Sequence, residues 1–415
     1  MNIKLRADFS KIILAMLIFF FPMIVFWIGG RPIYVWLELL FVVVCILKYK
    51  KYYAIKYIAI NLMLLTRFLS AISAQTGNLP AYLHKSAIVQ TVYALIAYLA
   101  VSYVYHAIEW KTFDTLSTII KAFKLMVMVE LFWIPLQFIC YYAFSTDINK
   151  LLFVDTFHMV ENASFVRSWV WYPSGLSWHS ALLAPMFVIG LLIFDNLWVR
   201  VFIVADALIC GNSTTLIGVI LTLLLLLFSS LGEKKKIKTR TIFIGGIVLI
   251  AGIFIAYRLG MYEKMQSQFS YTFERLFTES GDESTAAHLK YFSDYFEIAK
   301  ESSITQILFG YGEGCSGYPI WMLNGRDTVQ QSWSVECDFV DLLISRGIFG
   351  FVAFYYFMLY IAVKGFKIDK LYTIAIIVIM IEGIGYNVQW AYVFFIELIL
   401  FACVKAKISF FNLNV

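Results

Sequence analysis

Charged residues are scarce in this chain of 415 residues. Only 14% of the residues are charged, whereas soluble domains contain roughly 25%, and the mean hydropathy is +0.79. Stretches such as "IILAMLIFFFPMIVFWIGG" and "TTLIGVILTLLLLLFSSL" approach the roughly 20 apolar residues that cross a bilayer core. Such stretches recur along the chain, which excludes a secreted protein with one signal peptide. The composition predicts an all-α, polytopic integral membrane protein.

Motifs that hold nucleotides or metals are missing as well. The sequence contains no Walker A motif, no G-x-G-x-x-G and no H-E-x-x-H, and it has no paired Cys/His set of the kind that binds zinc. An Asp-x-Asp pair, common where sugar nucleotides bind through a metal, is also missing. We therefore expect no cofactor and no metal, and a substrate that brings its own activation.

Cysteine is infrequent, and four of the six cysteines lie in apolar runs. The other two, Cys315 and Cys337, fall in a long polar stretch. If that stretch is periplasmic, the two could form a disulfide. The sequence leaves open whether they do so or stay free thiols.

Basic residues cluster beside the ends of the apolar runs, which is where they set membrane orientation. The net charge of +6 is therefore interpreted as a topology signal, and no nucleic-acid partner is expected. Twelve transmembrane helices with both termini in the cytoplasm place "GEKKKIKTR", "KGFKIDK" and "KAK" on one side. The predicted division has five parts: N-terminal transmembrane helices 1–144, a periplasmic loop 145–176, central helices 177–259, a large periplasmic loop 260–338, and C-terminal helices 339–415.

The large loop has helical patterning. "SQFSYTFERLF" and "AAHLKYFSDYFEIAKESSITQILFG" carry aromatic and aliphatic residues at helical spacing, which predicts two or three amphipathic helices over the outer face. No internal repeat is evident.

Arginines and tryptophans gather in the predicted outer regions. Guanidinium forks bind phosphate bidentately, and tryptophan faces suit the apolar side of a sugar ring. Arg67, within "LLTRFLS", lies inside an apolar run, where an arginine is costly unless it snorkels, pairs or lines a cavity. The carboxylates inside other runs are either its partners or groups that hold the helices together; they are Glu130, Asp206, Glu382 and Glu397. The candidate phosphate- or sugar-binding residues are Arg67, Arg167, Arg275, Arg326, Arg346, His179, His288, Trp171 and Trp178. Solvated loop charges and an interfacial aromatic belt are the alternative interpretations.

A group of carboxylates stands where the tenth of the twelve predicted spans begins, in "SVECDFVDLLISRGIFG". Glu336 or Asp338 could act as a general base towards a hydroxyl. The alternative is that acidic residues here stabilise a helix N-terminus.

The order of these signals resembles the Wzy-type O-antigen polymerases and the related O-antigen ligases. It runs from "RSWVWYPSGLSWHSALLAP" through "ICGNSTTLIGVILTLLLLL" and a long loop ending "ILFGYGEG" to "ECDFVDLLISRGIFGFVAFYYF". The resemblance covers roughly residues 167–357. The chain lacks the arginine of an "SRT"-like start, and it has Glu336 with Asp338 where ligases place a histidine.

The resemblance implies a GT-C-like, metal-independent glycosyltransferase in the bacterial inner membrane with a periplasmic active site. Its donor would be a glycan on undecaprenyl diphosphate, its acceptor a hydroxyl of another lipid-linked repeat unit, and a chain-length regulator a possible partner. Arg167 and Arg275 would stabilise the diphosphate, and Glu336 or Asp338 would deprotonate the acceptor. An O-antigen ligase acting on lipid A–core, and a transporter of lipid-linked oligosaccharides, remain alternatives.

Overall fold

The computed structural model describes residues 2–49, 57–77, 79–109, 113–160, 165–167, 170–177, 179–230, 283–324, 335–387 and 391–413. These residues are mostly helical, with two short antiparallel β-hairpins. The prediction of a helical fold is therefore confirmed.

The first half of the chain contains eight α-helices in the described ranges. They are α1 Asn2–Phe20, α2 Ile33–Tyr49, α3 Ile58–Thr76, α4 Ala81–Glu109, α5 Phe113–Phe144, α6 Ala184–Ile193, α7 Leu197–Cys210 and α8 Ser213–Ser230. The strands are β1 Trp27–Ile28, β2 Arg31–Pro32, β3 Phe165–Arg167 and β4 Val170–Tyr172, paired β1 with β2 and β3 with β4.

The second half contributes six further helices in the described ranges. They are α9 Glu283–Glu301, α10 Ile304–Phe309, α11 Gly317–Leu323, α12 Asp338–Phe366, α13 Lys370–Gly385 and α14 Ala391–Lys405. The first three fall within the predicted large loop, which confirms helices there over 283–323. α9 packs Ile298, Tyr291 and Tyr295 against Val335 and the start of α12, so it is amphipathic as expected.

The chain divides into two compact units, and the predicted five-part division into helices and loops stays a prediction. One unit consists of residues 1–17, 35–120 and 281–415. In it α12 packs on α3 and α13, and α4 packs on α3 and α14. The other consists of residues 18–34 and 121–280, and its described core is formed by α6, α7 and α8.

Two of the described helices are long and apolar enough to cross a bilayer, over Ala81–Ile108 and Asp338–Phe366. Shorter apolar helices run over Phe9–Phe20, Ser180–Ile193 and Ser213–Ser229. These segments indicate association with a membrane. The number of twelve spans and the GT-C-like architecture stay predictions.

Large apolar side chains on the helix surfaces also indicate a lipid environment. Phe132 on α5 is 68% exposed, Phe228 on α8 66% and Val363 on α12 61%. Soluble monomers rarely leave extended apolar faces in water, whereas such faces suit lipid tails.

α12 is broken near its start, and the break is filled by another segment. Gly347 has φ 65° inside the helix, so the carbonyls one turn earlier lose their intrahelical partners. The amides of Tyr311 and Gly312, just after α10, donate to Ile344 O at 2.7 Å and Ser345 O at 3.0 Å. The segment after α10 is thereby fixed against α12.

The approach of these two segments leaves no room for side chains. A Cβ on Gly310 (φ +83°) would lie 2.3 Å from the Ser345 carbonyl, and one on Gly347 would lie 2.4 Å from the Leu308 carbonyl carbon. Both positions therefore require glycine for their backbone conformation and for space.

We predict that Gly310→Ala and Gly347→Ala each lower the free energy of unfolding by about 2–5 kcal/mol, the sum of left-handed strain and overpacking. Gly30→Ala is the matched control, because Gly30 has φ +74° with nothing within 4 Å of its Cβ position. Its free energy of unfolding should fall only by the cost of the backbone strain, about 1–2 kcal/mol. Unfolding in detergent measures all three, and equal losses in the three variants would contradict the packing argument.

Candidate functional site

Two arginines from distant parts of the chain meet at one glutamate. Arg67 Nη1 on α3 lies 2.7 Å from Glu313 Oε2, and Arg346 Nε on α12 pairs with Glu313 Oε1. All three side chains are only 7–8% exposed. We call Arg67, Glu313 and Arg346 the arginine triad.

The triad carries a formal charge of +1 in an apolar setting. An unpaired buried charge is costly, so the carboxylate between the two guanidiniums is what allows them to be buried together. The guanidinium carbon of Arg67 also lies 4.8 Å from the centroid of the Phe394 ring on α14. Arg67 is therefore held by an ion pair on one side and a cation–π contact on the other.

The backbone around Glu313 is anchored on both neighbouring helices. Ser73 Oγ on α3 donates to Gly310 O at 2.7 Å, and Ser70 Oγ donates to Ser345 O at 2.6 Å. Together with the hydrogen bonds from Tyr311 and Gly312 to α12, these contacts hold the "GYGEG" segment against both α3 and α12. Both arginines therefore meet a carboxylate whose backbone is fixed.

Glu313 is the partner of Arg67 that the sequence did not predict. The carboxylates inside apolar runs were expected either to pair with Arg67 or to hold helices together, and the first alternative is wrong because the loop residue Glu313 pairs with Arg67 instead. Glu130, for example, accepts the backbone N–H of Leu176 at 3.0 and 3.2 Å. The sequence feature that could have indicated Glu313 is its position as the single carboxylate between two glycines in "GYGEG".

The carboxylates at the start of α12 differ in accessibility. Asp338 is 1% exposed, and its Oδ2 lies so close to Gly383 on α13 that a Cβ there would be 2.8 Å away. Asp341 Oδ1 accepts a hydrogen bond from Ser316 Oγ, which in turn accepts the N–H of Val335 at 3.0 Å. Glu336 is half-buried, whereas the other two are buried, so it is the most accessible of the three. It interacts electrostatically with the Tyr291 hydroxyl.

In the other unit, Trp171 and His179 have structural contacts. The ring of Trp171 stacks on Tyr141 at 4.2 Å between centroids, and its Nε1 donates to Asp147 at 3.0 Å. The ring is 3% exposed, so it is not presented to a glycan here. His179 Nδ1 accepts the N–H of Ala181 at 3.1 Å at the start of a 3₁₀ turn.

The remaining predicted residues lie partly or wholly outside the described part. Arg167 lies on β3, paired with Val170 on β4, and His288 lies on α9. Arg275, Arg326 and Trp178 lie outside the described residues. Of the predicted site, the structure therefore brings Arg67 and Arg346 together, with Asp338 on the same helix as Arg346.

Within the described ranges, no group of three His, Cys, Asp or Glu side chains has the geometry to hold a metal ion. A scan against protein-family models finds no match for the chain, and a search of curated proteins finds none either.

The two cysteines of the polar stretch are free, buried thiols. The possible Cys315–Cys337 disulfide is therefore not present. Burial raises the pKa of Cys315 to about 12, with the nearby Asp341 and Glu313 adding to the effect. Burial also raises the pKa of Cys337 to about 11.

We predict that neither thiol reacts with iodoacetamide in the folded protein at about pH 8, because under about 1% of each is ionised and both are buried. After denaturation without a reductant, both should be alkylated in full, as mass spectrometry of the peptides would show. A pair that alkylates only after reduction would contradict the free-thiol assignment.

We predict that Glu313→Ala lowers the free energy of unfolding by about 3–5 kcal/mol, because it leaves two guanidiniums buried without a counter-charge. Glu297→Ala is the control, since it removes an ion pair with Lys300 whose side chains are 55% and 67% exposed. That change should cost at most about 0.5 kcal/mol. Similar losses in the two variants would show that the triad contributes no more than a surface pair.

Proposed function

We propose that this protein is a membrane-embedded, metal-independent glycosyltransferase, an O-antigen polymerase of the bacterial inner membrane. It transfers a growing glycan from undecaprenyl diphosphate to a sugar hydroxyl of a second lipid-linked repeat unit at the periplasmic face. The order of sequence signals supports this proposal, and one structural observation carries it. That observation is the convergence of Arg67 and Arg346 on Glu313.

The arginine triad has the chemistry that a diphosphate leaving group needs. Each guanidinium has five N–H donors, and the Glu313 contacts use only some of them. The carboxylate fixes the orientation of both forks, and the net positive charge favours an anion in surroundings of low dielectric. Because the triad is closed to solvent in this structure, access for a diphosphate requires a local movement of the groups that cover it.

The reaction that we propose balances without a cofactor. The acceptor oxygen forms a bond to the anomeric carbon while the bond from that carbon to the diphosphate oxygen breaks. The electron pair leaves with the diphosphate, whose charge the two arginines stabilise. The hydroxyl proton passes to a carboxylate at the start of α12, either the half-buried Glu336 or Asp338.

A transporter of lipid-linked oligosaccharides is the second candidate, and a specific observation favours it. Asp206, Glu382 and Glu397 are each at most 1% exposed inside apolar helices. Ionisable residues at such positions often mark ion or substrate pathways. We rank this candidate second because a transporter of this kind predicts related halves, and no internal repeat is evident in the sequence.

The test of the main proposal is a reaction in detergent. The purified protein is incubated with a synthetic undecaprenyl-diphosphate repeat unit and a chelator, without nucleotide, and the products are separated on a gel. A ladder of lipid-linked oligomers supports the polymerase. Transfer only after lipid A–core is added would indicate the ligase, and no transfer in either case would favour the transporter.

We predict that Arg346→Met lowers the rate of ladder formation by a factor of about 10² to 10³, by analogy with the loss of one oxyanion-stabilising donor. Arg346→Lys should retain part of the activity, because it keeps the charge and loses the fork. Arg200→Met on α7 is the control, since Arg200 lies outside the triad, and it should be as active as the wild type. Melting temperatures of the variants separate loss of function from loss of folding.

A further inference from the structure

A buried carboxyl group beside the arginine triad has no assigned role. Glu397 on α14 is 0% exposed, and neither of its carboxylate oxygens has a hydrogen-bond partner within the described residues. It interacts electrostatically with Arg346 and with Asp338. A carboxylate in such a position is either neutralised by a proton or compensated by a nearby cation.

The balance of charge around the triad makes an ionised Glu397, compensated by a nearby cation, costly. Arg67 and Arg346 supply two positive charges, and Glu313 compensates one of them directly. Asp341 interacts electrostatically with Arg346 as well. If Glu397 and Asp338 were also ionised, the carboxylates would outnumber the arginines in an apolar interior, where neighbouring like charges are disfavoured.

Among the described residues, the elements packed against α14 provide no cation for Glu397 besides Arg346 and the already paired Arg67. From α12 it faces Asp338, Arg346 and the hydroxyl of Tyr355. From α3, Arg67 lies over Phe394, about one turn before Glu397, and is already paired with Glu313. From α4, Tyr105 stacks on Phe401, about one turn after it. Arg346 is therefore the cation that Glu397 and an incoming anion would share.

We propose that Glu397 is a proton-binding site that couples uptake of one proton to binding of an anionic diphosphate at Arg67 and Arg346. This inference rests on the proposed use of the triad as a diphosphate site. When Glu397 is ionised, it competes with the ligand for the positive charge of Arg346. When it is protonated, that charge is available to the ligand.

The direction of the coupling follows from linkage. Ligand binding favours the protonated form of Glu397, so a higher pH, which removes the proton, must weaken binding by the same coupling. For one coupled proton the affinity falls by up to about tenfold per pH unit above the pH at which Glu397 ionises. The effect levels off below that pH.

The experiment measures binding of a farnesyl diphosphate that carries one sugar on its second phosphate. Each phosphate of this probe carries one ester bond and one anhydride bond, so it lacks the second ionisation near pH 6 that a phosphate monoester has. Its affinity for the full-length protein is measured by calorimetry in detergent over a range of pH. Calorimetry in two buffers of different ionisation enthalpy also counts the protons taken up by the wild type on binding.

The wild type should lose affinity above the pH at which Glu397 ionises in the free protein, and in that range it should take up about one proton per bound probe. Glu397→Gln has the shape and charge of the protonated side chain, so its affinity should be independent of pH, and Glu397→Asp should keep the dependence. Glu382→Gln is the matched control, because Glu382 is also a buried carboxyl on a neighbouring helix without hydrogen-bond partners among the described residues. It should behave as the wild type does.

Three results would overturn the inference. The first is binding to the wild type with neither a loss of affinity nor proton uptake at any pH at which the protein stays folded. The second is a Glu397→Gln variant with the same pH dependence as the wild type. The third is no saturable binding of the probe, which removes the anion site itself. None of these measurements depends on transfer of sugar. If the protein binds the probe with uptake of a proton but forms no ladder of oligomers, the proposed polymerase activity is refuted and the inference about Glu397 stands.

Discussion

The burial of two guanidiniums on one carboxylate is the constraint on which the rest of this unit depends. Arg67 and Arg346 cannot lie in an apolar interior without Glu313, and Glu313 cannot reach them unless its backbone is held between α3 and α12. The serine hydroxyls of α3 and the opened carbonyls of α12 provide that support. The break in α12 is therefore part of the same arrangement as the ion pairs.

This arrangement connects local backbone conformation with chemistry. A continuous helix through Gly347 would use its own carbonyls and would leave the amides after α10 without acceptors. The break instead gives those amides partners and brings the "GYGEG" segment to the depth of the arginines. The proposed diphosphate site would have donors oriented in advance, which reduces the cost of ordering them when a ligand binds.

The second unit shows how polar groups in an apolar protein can be structural and not functional. Glu130 is fully buried and accepts the N–H of Leu176. Asn149 donates through Nδ2 to Gly175 O at 2.7 Å and accepts through Oδ1 from Trp133 Nε1 at 2.8 Å. These hydrogen bonds pair the backbone polar groups of the turn at Gly175. Glu397 differs because no hydrogen bond among the described residues explains it, and for that reason it carries the inference about proton uptake.

The sequence by itself determined the helical class, the apolar character and the helices in the stretch before α12, because composition and helical periodicity are local properties. It also named Arg67 and Arg346 as candidate binding residues, which stays a prediction. Only the tertiary structure decided that Glu313 is the common partner of the two arginines, that Trp171 is buried on Tyr141, and that the two loop cysteines are free. Each of these depends on which distant segments meet, and spacing along one chain does not encode the distance between segments that fold together.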